Sequence, residues 1–173
     1  MNKAFFLMGI VVLTFVFFPG YSHEEGFYPI SKVEAETGTS VGQEMPAFTA
    51  ISLDGEHVKL GETGVPYVLN FWATWCPPCR AEFPEINAFA NEHGTDVHFY
   101  AINIEEPIDT IRVFLGKNEY SLPVLLDPIG RIAQIFRIRA VPTTIVVDSQ
   151  GIIQYRKSGG ATKDELEKVL NSL

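Results

Sequence analysis

The sequence predicts an α/β domain: a mixed central sheet with helices on both faces and an N-terminal β-hairpin ahead of it. Three observations point there. The apolar run YVLNFWA at 67–73 gives way within a few residues to a helical repeat that starts at Pro77. A second apolar run, VHFYAINI at 97–104, follows that repeat, so a strand, a crossover helix and a parallel strand come in succession. Near the C-terminus, two strand-like runs flank a turn at 148–151 and supply an antiparallel edge.

In chain order, FTAISLDGEHVKL at 48–60 has two partly alternating runs around Asp54 and Gly55, a hairpin signal. The 67–73 run is broken only by Asn70, which suits a central strand covered on both faces. From Pro77 to about His93, residues Phe83, Ile86, Phe89 and Ala90 fall on one helical stripe, with Pro84 as an interior proline expected to kink it. Helices are expected at 109–118 and 129–137. The run TTIVVDSQGIIQYRK is expected to form the closing hairpin. A last helix starts after Thr162, which forms a capping box with Glu165 and precedes the apolar stripe Leu166, Val169 and Leu170. Phe71, Trp72 and Phe83 lie on elements of buried type and are expected in the core.

With 46% hydrophobic residues the composition is that of a folded chain, and 173 residues suffice for one ordinary domain plus an appendage. Acidic side chains outnumber basic ones 21 to 13, a formal charge of −8 without a Lys/Arg cluster, which argues against a nucleic-acid partner. The start reads differently. After Lys3 an uncharged stretch runs from 4 to 22 and is densely apolar to Phe18, the pattern of a secretory signal or of a short membrane anchor. Gly20 and Ser22 suit a cleavage site, and both readings stay open; the absence of a cysteine near residue 20 excludes a lipoprotein anchor. Either one carries the domain out of the cytoplasm. Residues 23–44 mix Gly, Glu, Ser and Thr without a sustained period and read as a linker, which leaves 45–173 as the folded domain.

Both cysteines of the chain, Cys76 and Cys79, lie in NFWATWCPPCRAEFP, where the first strand of the crossover unit meets its helix. Open α/β sheets put their chemistry at that carboxyl end. Zinc needs four ligands, and none of the four histidines shows ligand spacing. A structural disulfide over so short a loop constrains little of the unfolded chain. A copper site would want a histidine beyond the second strand, and the last one is His98. Redox exchange fits best. Pro77 and Pro78 suit a first helical turn and put Cys76 near the N-cap, where free N–H groups and the helix dipole favour thiolate. Cys76 is therefore expected as an exposed nucleophile and Cys79 as the resolving thiol. No metal and no cofactor is expected.

FWATWCPPC at a strand–helix junction, with AVPTT more than sixty residues downstream, resembles the thioredoxin superfamily. The leading hairpin, VLLDPIGRIAQIF with its extra helix, and TTIVVDSQGII make the chain from 44 to 173 similar to the membrane-tethered, extracytoplasmic TlpA/ResA-like branch, which serves cytochrome c maturation and spore-cortex assembly. The resemblance implies a thioredoxin-like fold and a thiol–disulfide oxidoreductase acting on protein thiols. It implies a reductase, supplied with electrons by a membrane donor of the thiol-transfer type. An oxidase or isomerase and a copper-delivery module remain alternatives. Trp75 would shield the disulfide. Val141–Pro142 would be a cis peptide facing it and, with Thr143, would pair with a substrate strand. Glu82 matches an acidic residue of the branch, three residues after Cys79, where a carboxylate can raise a thiol pKa or relay a proton; it could equally be an ordinary surface glutamate. Arg80 could favour the thiolate or face solvent. Cytoplasmic thioredoxins have a buried aspartate where this chain has Asn70, which cannot act as a base; that work would fall to Glu82, to water, or to nothing.

Overall fold

The computed structural model describes residues 36–61 and 64–173. The apolar segment at 1–22 and the first part of the linker lie outside the described residues. Among the described residues, no helix is long and apolar enough to cross a membrane.

The expected thioredoxin-like α/β fold is present, with a seven-stranded mixed sheet and four helices among the described residues. The hairpin β1 (Phe48–Ser52) and β2 (His57–Leu60) pairs in register from Phe48↔Leu60 to Ile51↔His57. Strand β3 (Tyr67–Trp72) is buried along its whole length, as a central strand without alternation should be. Helix α1 (Pro77–His93) runs through Pro84 and leads to β4 (His98–Ile104), parallel to β3. After α2 (Ile108–Asn118) comes β5 (Val124–Asp127), a strand the sequence reading does not contain. It pairs parallel to β4 and antiparallel to β1, so it joins the N-terminal hairpin to the rest of the sheet. Helix α3 covers only Arg131–Ile135, shorter than the expected 129–137, because Gly130 and Phe136 already lie outside helical backbone. Strands β6 (Thr143–Val147) and β7 (Ile153–Ser158) form the closing hairpin. In its turn Asp148 Oδ1 accepts the N–H groups of Gln150 and Ile152 at 2.8 and 3.0 Å. Helix α4 (Lys163–Leu170) begins at the expected cap: Thr162 Oγ1 accepts the Glu165 N–H at 3.2 Å. The sheet order is β2-β1-β5-β4-β3-β6-β7.

The period-two alternation of β3 divides its side chains between two apolar layers. Val68 and Trp72 face a core built with Phe83, Ile86 and Phe89 of α1, Ile111 and Leu115 of α2, and Leu166 of α4. Tyr67, Leu69 and Phe71 face the other core, with Phe48, Leu60, Ile132 and Phe136. Phe83 is fully buried, and its ring centroid lies 4.4 Å from that of Trp72 and 5.1 Å from that of Tyr120. Burying a side chain of this size stabilises by about 1.5–3 kcal/mol. The end of the expected linker is tied to the fold: Gly42 N–H donates to Ile153 O at 2.8 Å, and Ile153 N–H donates to Gln43 O at 2.9 Å.

Candidate active site

The site forms where β3 ends. Cys76 has extended backbone (φ −84°, ψ 110°) and is the N-cap of α1, with prolines filling the first helical positions. Cys76 N–H donates to Ala73 O at 3.2 Å, and Arg80 N–H donates to Cys76 O at 3.1 Å. Cys79 N–H points at Cys76 Sγ, 3.2 Å away. That donor and the positive end of the helix stabilise negative charge on Sγ whenever the bond is open. The two cysteines are joined in a disulfide with Cα atoms 5.3 Å apart.

In this oxidised state Cys76 is 2% exposed and Cys79 is wholly buried, so the nucleophile is not the open thiol its N-cap position suggested. The cover comes from a remote loop. Val141–Pro142 is a cis peptide, and the Val141 carbonyl oxygen lies 3.5 Å from Cys76 Sγ. Around it, Gly159 N–H donates to Pro142 O at 2.8 Å, and Thr143 Oγ1 donates to Ala140 O at 2.7 Å. Thr143 itself is buried at the head of β6. Trp75 presents most of its surface to solvent, at 68% exposure, and lines a groove with Ala140 and Val141 of this loop. Arg80 is exposed on the first turn of α1.

Glu82 is not a surface glutamate. It is 6% exposed on the buried face of α1. Its Oε1 accepts Asn70 Nδ2–H at 2.9 Å and its Oε2 accepts the Ala161 N–H at 2.7 Å. Burial raises its pKa above the ordinary carboxylate value; the bonds from Asn70 and Ala161 and the charge of Lys157 pull the other way without prevailing. Asn70, fully buried on β3, also donates to Thr144 Oγ1 at 3.0 Å, while its Oδ1 has no partner among the described residues. The structure thus brings together Asn70 and Glu82, which the sequence could only name separately.

A further element was not anticipated. Glu106, just past β4, accepts the Thr74 N–H on Oε2 at 2.7 Å, the Thr74 hydroxyl on Oε1, and Asn103 Nδ2–H on Oε2 at 2.7 Å. It fixes the segment that leads into Trp75 and Cys76. Acidic residues after a strand are common, so no sequence signal singled it out. The described residues hold one group of three metal-capable side chains, Glu92, His93 and Glu167, at the far end of α1, and neither cysteine belongs to it. The Lys163 ammonium already pairs with both of those carboxylates.

Comparison with known proteins agrees with this geometry. The Redoxin family model matches residues 40–173. The thioredoxin-like protein YneN of Bacillus subtilis is 33% identical over 169 residues, covering 95% of this chain and 96% of its own. The thiol-disulfide oxidoreductase ResA of Bacillus cereus is 27% identical over 156 residues, covering 89% and 87%. The crystal structure of StoA from Bacillus subtilis superposes with a TM-score of 0.65 at 26% identity, covering 72% of this chain and 96% of StoA.

Proposed function

Given that the chain belongs to the Redoxin family and is a thiol–disulfide oxidoreductase acting on protein thiols, we propose that it works as a reductase on the outer face of a bacterial membrane. Cys76 Sγ at the α1 N-cap, against the Val141 carbonyl, is the observation that carries the reading. The reduced pair attacks through the Cys76 thiolate. One sulfur of the substrate disulfide bonds to Cys76 and the other leaves as a thiolate that takes up a proton. Cys79 then attacks Cys76 Sγ, closing the intramolecular disulfide and releasing the second substrate thiol. Two electrons pass to the substrate, and a membrane electron donor of the thiol-transfer type restores the dithiol.

In this reading Glu82, one turn beyond Cys79 and protonated to higher pH than an ordinary carboxylate, relays the proton that Cys79 gives up. Trp75 and Val141 face the substrate strand, while Pro142 and Thr143, buried behind Val141 and bonded within the fold, fix the loop that presents it. The uncharged stretch at 4–22 exports the domain and either tethers it or is removed, and within 23–44, ahead of the domain at 45–173, the part before Gly42 supplies the spacer. Apocytochrome c thiols awaiting haem and a spore-envelope protein are the substrate candidates that the resemblance supplies. Trapping tests the mechanism. Reduced Cys79→Ser protein mixed with a disulfide-bonded peptide should accumulate a Cys76 mixed disulfide, visible as an added peptide mass. Cys76→Ser should accumulate none; a mixed disulfide on Cys79 in that variant would reverse the assignment.

A further inference from the structure

Beside Trp75 lies a groove of about 320 Å³ whose lining includes Val141, Gly130, Glu105 and Arg139. Trp75 and Val141 flank Cys76, so a polypeptide whose cysteine reaches Cys76 Sγ passes along this groove. Two backbone features place a carboxylate in it. Glu105 has left-handed backbone (φ 55°), held by its N–H bond to Asp127 O at 2.9 Å. A side chain other than glycine is strained there; Glu119 and Arg137 share this backbone where α2 and α3 end, whereas Glu105 adopts it at the groove, just past β4. Gly130, also left-handed (φ 68°), lies against the Glu105 carboxylate, and a Cβ at that position would collide with Oε1. The Glu105 carboxylate thus lies at the groove, against a residue that carries no Cβ. Among the described residues neither Glu105 nor Arg139 has a side-chain partner, and both are exposed.

We propose that Glu105 is a specificity-determining residue whose carboxylate recognises a lysine or arginine close to the target cysteine of the substrate. The inference rests on the reductase reading above, which brings substrate through this groove. The chain's formal charge of −8 adds a field of the same sign, and Arg139 opposes it locally.

The test uses the reduced full chain and two disulfide peptides that are identical except for Lys or Glu beside the cysteine. The readout is the ratio of their rates of reduction at low ionic strength. Wild-type protein should prefer the Lys peptide on the order of fivefold, the size of one solvent-exposed charge contact, and salt should shrink the ratio. Glu105→Gln should bring the ratio towards one, and so should Glu105→Gly, which suits the backbone. Arg139→Gln should raise it. Glu56→Gln, the same charge change at the turn of the β1–β2 hairpin, should leave it unmoved. A ratio that survives in both Glu105 variants, or that moves equally in Glu56→Gln, overturns the proposal while the reductase reading stands. Failure of the wild-type protein to reduce either peptide overturns both.

Discussion

Replacing Glu82 separates its charge from its hydrogen bonds. In Glu82→Ala, the Asn70 Nδ2–H and Ala161 N–H groups both lose their acceptor in a buried site. Each buried unpaired donor costs about 1–3 kcal/mol, so the variant should lose on the order of 2–6 kcal/mol before any cavity cost. That is a large part of a domain's usual 5–15 kcal/mol, roughly. Glu82→Gln keeps the volume. Its amide oxygen can accept from Ala161, and its NH₂ can donate to Asn70 Oδ1, unpartnered now, if that amide turns over. Turning that amide takes Asn70 Nδ2–H away from Thr144 Oγ1 and points it to a side with no partner, and leaving it in place sets the Gln NH₂ against a donor; the variant should therefore cost about 1–3 kcal/mol, and its pH dependence is the sharper test. The folded pKa of Glu82 is raised above the ordinary 4.5, so between the two values the native state holds more protons than the unfolded state. Its contribution to stability is then fully present below the unfolded value and is lost as pH rises through the folded one. The Gln variant lacks this loss, so its stability relative to wild type should climb with pH from about 4 upwards and level off above the folded pKa. Urea unfolding of the disulfide-intact proteins at several pH values reads the difference. A difference that is flat, or that falls with pH, would show instead that the bonds from Asn70 and Ala161 outweigh burial.

Two further changes follow from the packing around the disulfide. Glu106→Ala removes the acceptor of the Thr74 N–H, the Thr74 hydroxyl and the Asn103 amide; it should cost about 2–4 kcal/mol and speed hydrogen exchange at the Thr74 amide, and unchanged exchange there would refute the clamp. Phe83→Ala, at a fully buried ring against Trp72, Phe114 and Tyr120, should lower the unfolding free energy by about 3–5 kcal/mol, and a loss under 1 kcal/mol would contradict the packing described.

Local pattern carried most of the fold. The apolar run of β3, the proline-led start of α1, the cap at Thr162 and the turn at Asp148 each announce themselves within a few residues. Strand β5 did not. It is four residues long, follows Pro123 and ends in the buried Asp127, too short to show a period. The site was legible in the same uneven way. Cys76 and Cys79 declared their chemistry by spacing, but the covering of Cys76 depends on a loop 65 residues away that no local pattern places against it. Spacing put Glu82 near the pair; its burial, and the partners that shift its pKa, come from Asn70 on β3 and Ala161 before α4. The Glu106 clamp on Thr74 is likewise a tertiary contact without a sequence signature.

In the reductase reading the Cys76–Cys79 pair donates electrons. Its reduction potential, measured by equilibrating the purified protein against glutathione or dithiothreitol buffers and quantifying the Cys76–Cys79 disulfide, tests that most directly. A reductase should lie near thioredoxin, at about −270 mV. A value near −120 mV, roughly that of a dedicated oxidant, would contradict the account and make disulfide formation the function of the same two sulfurs.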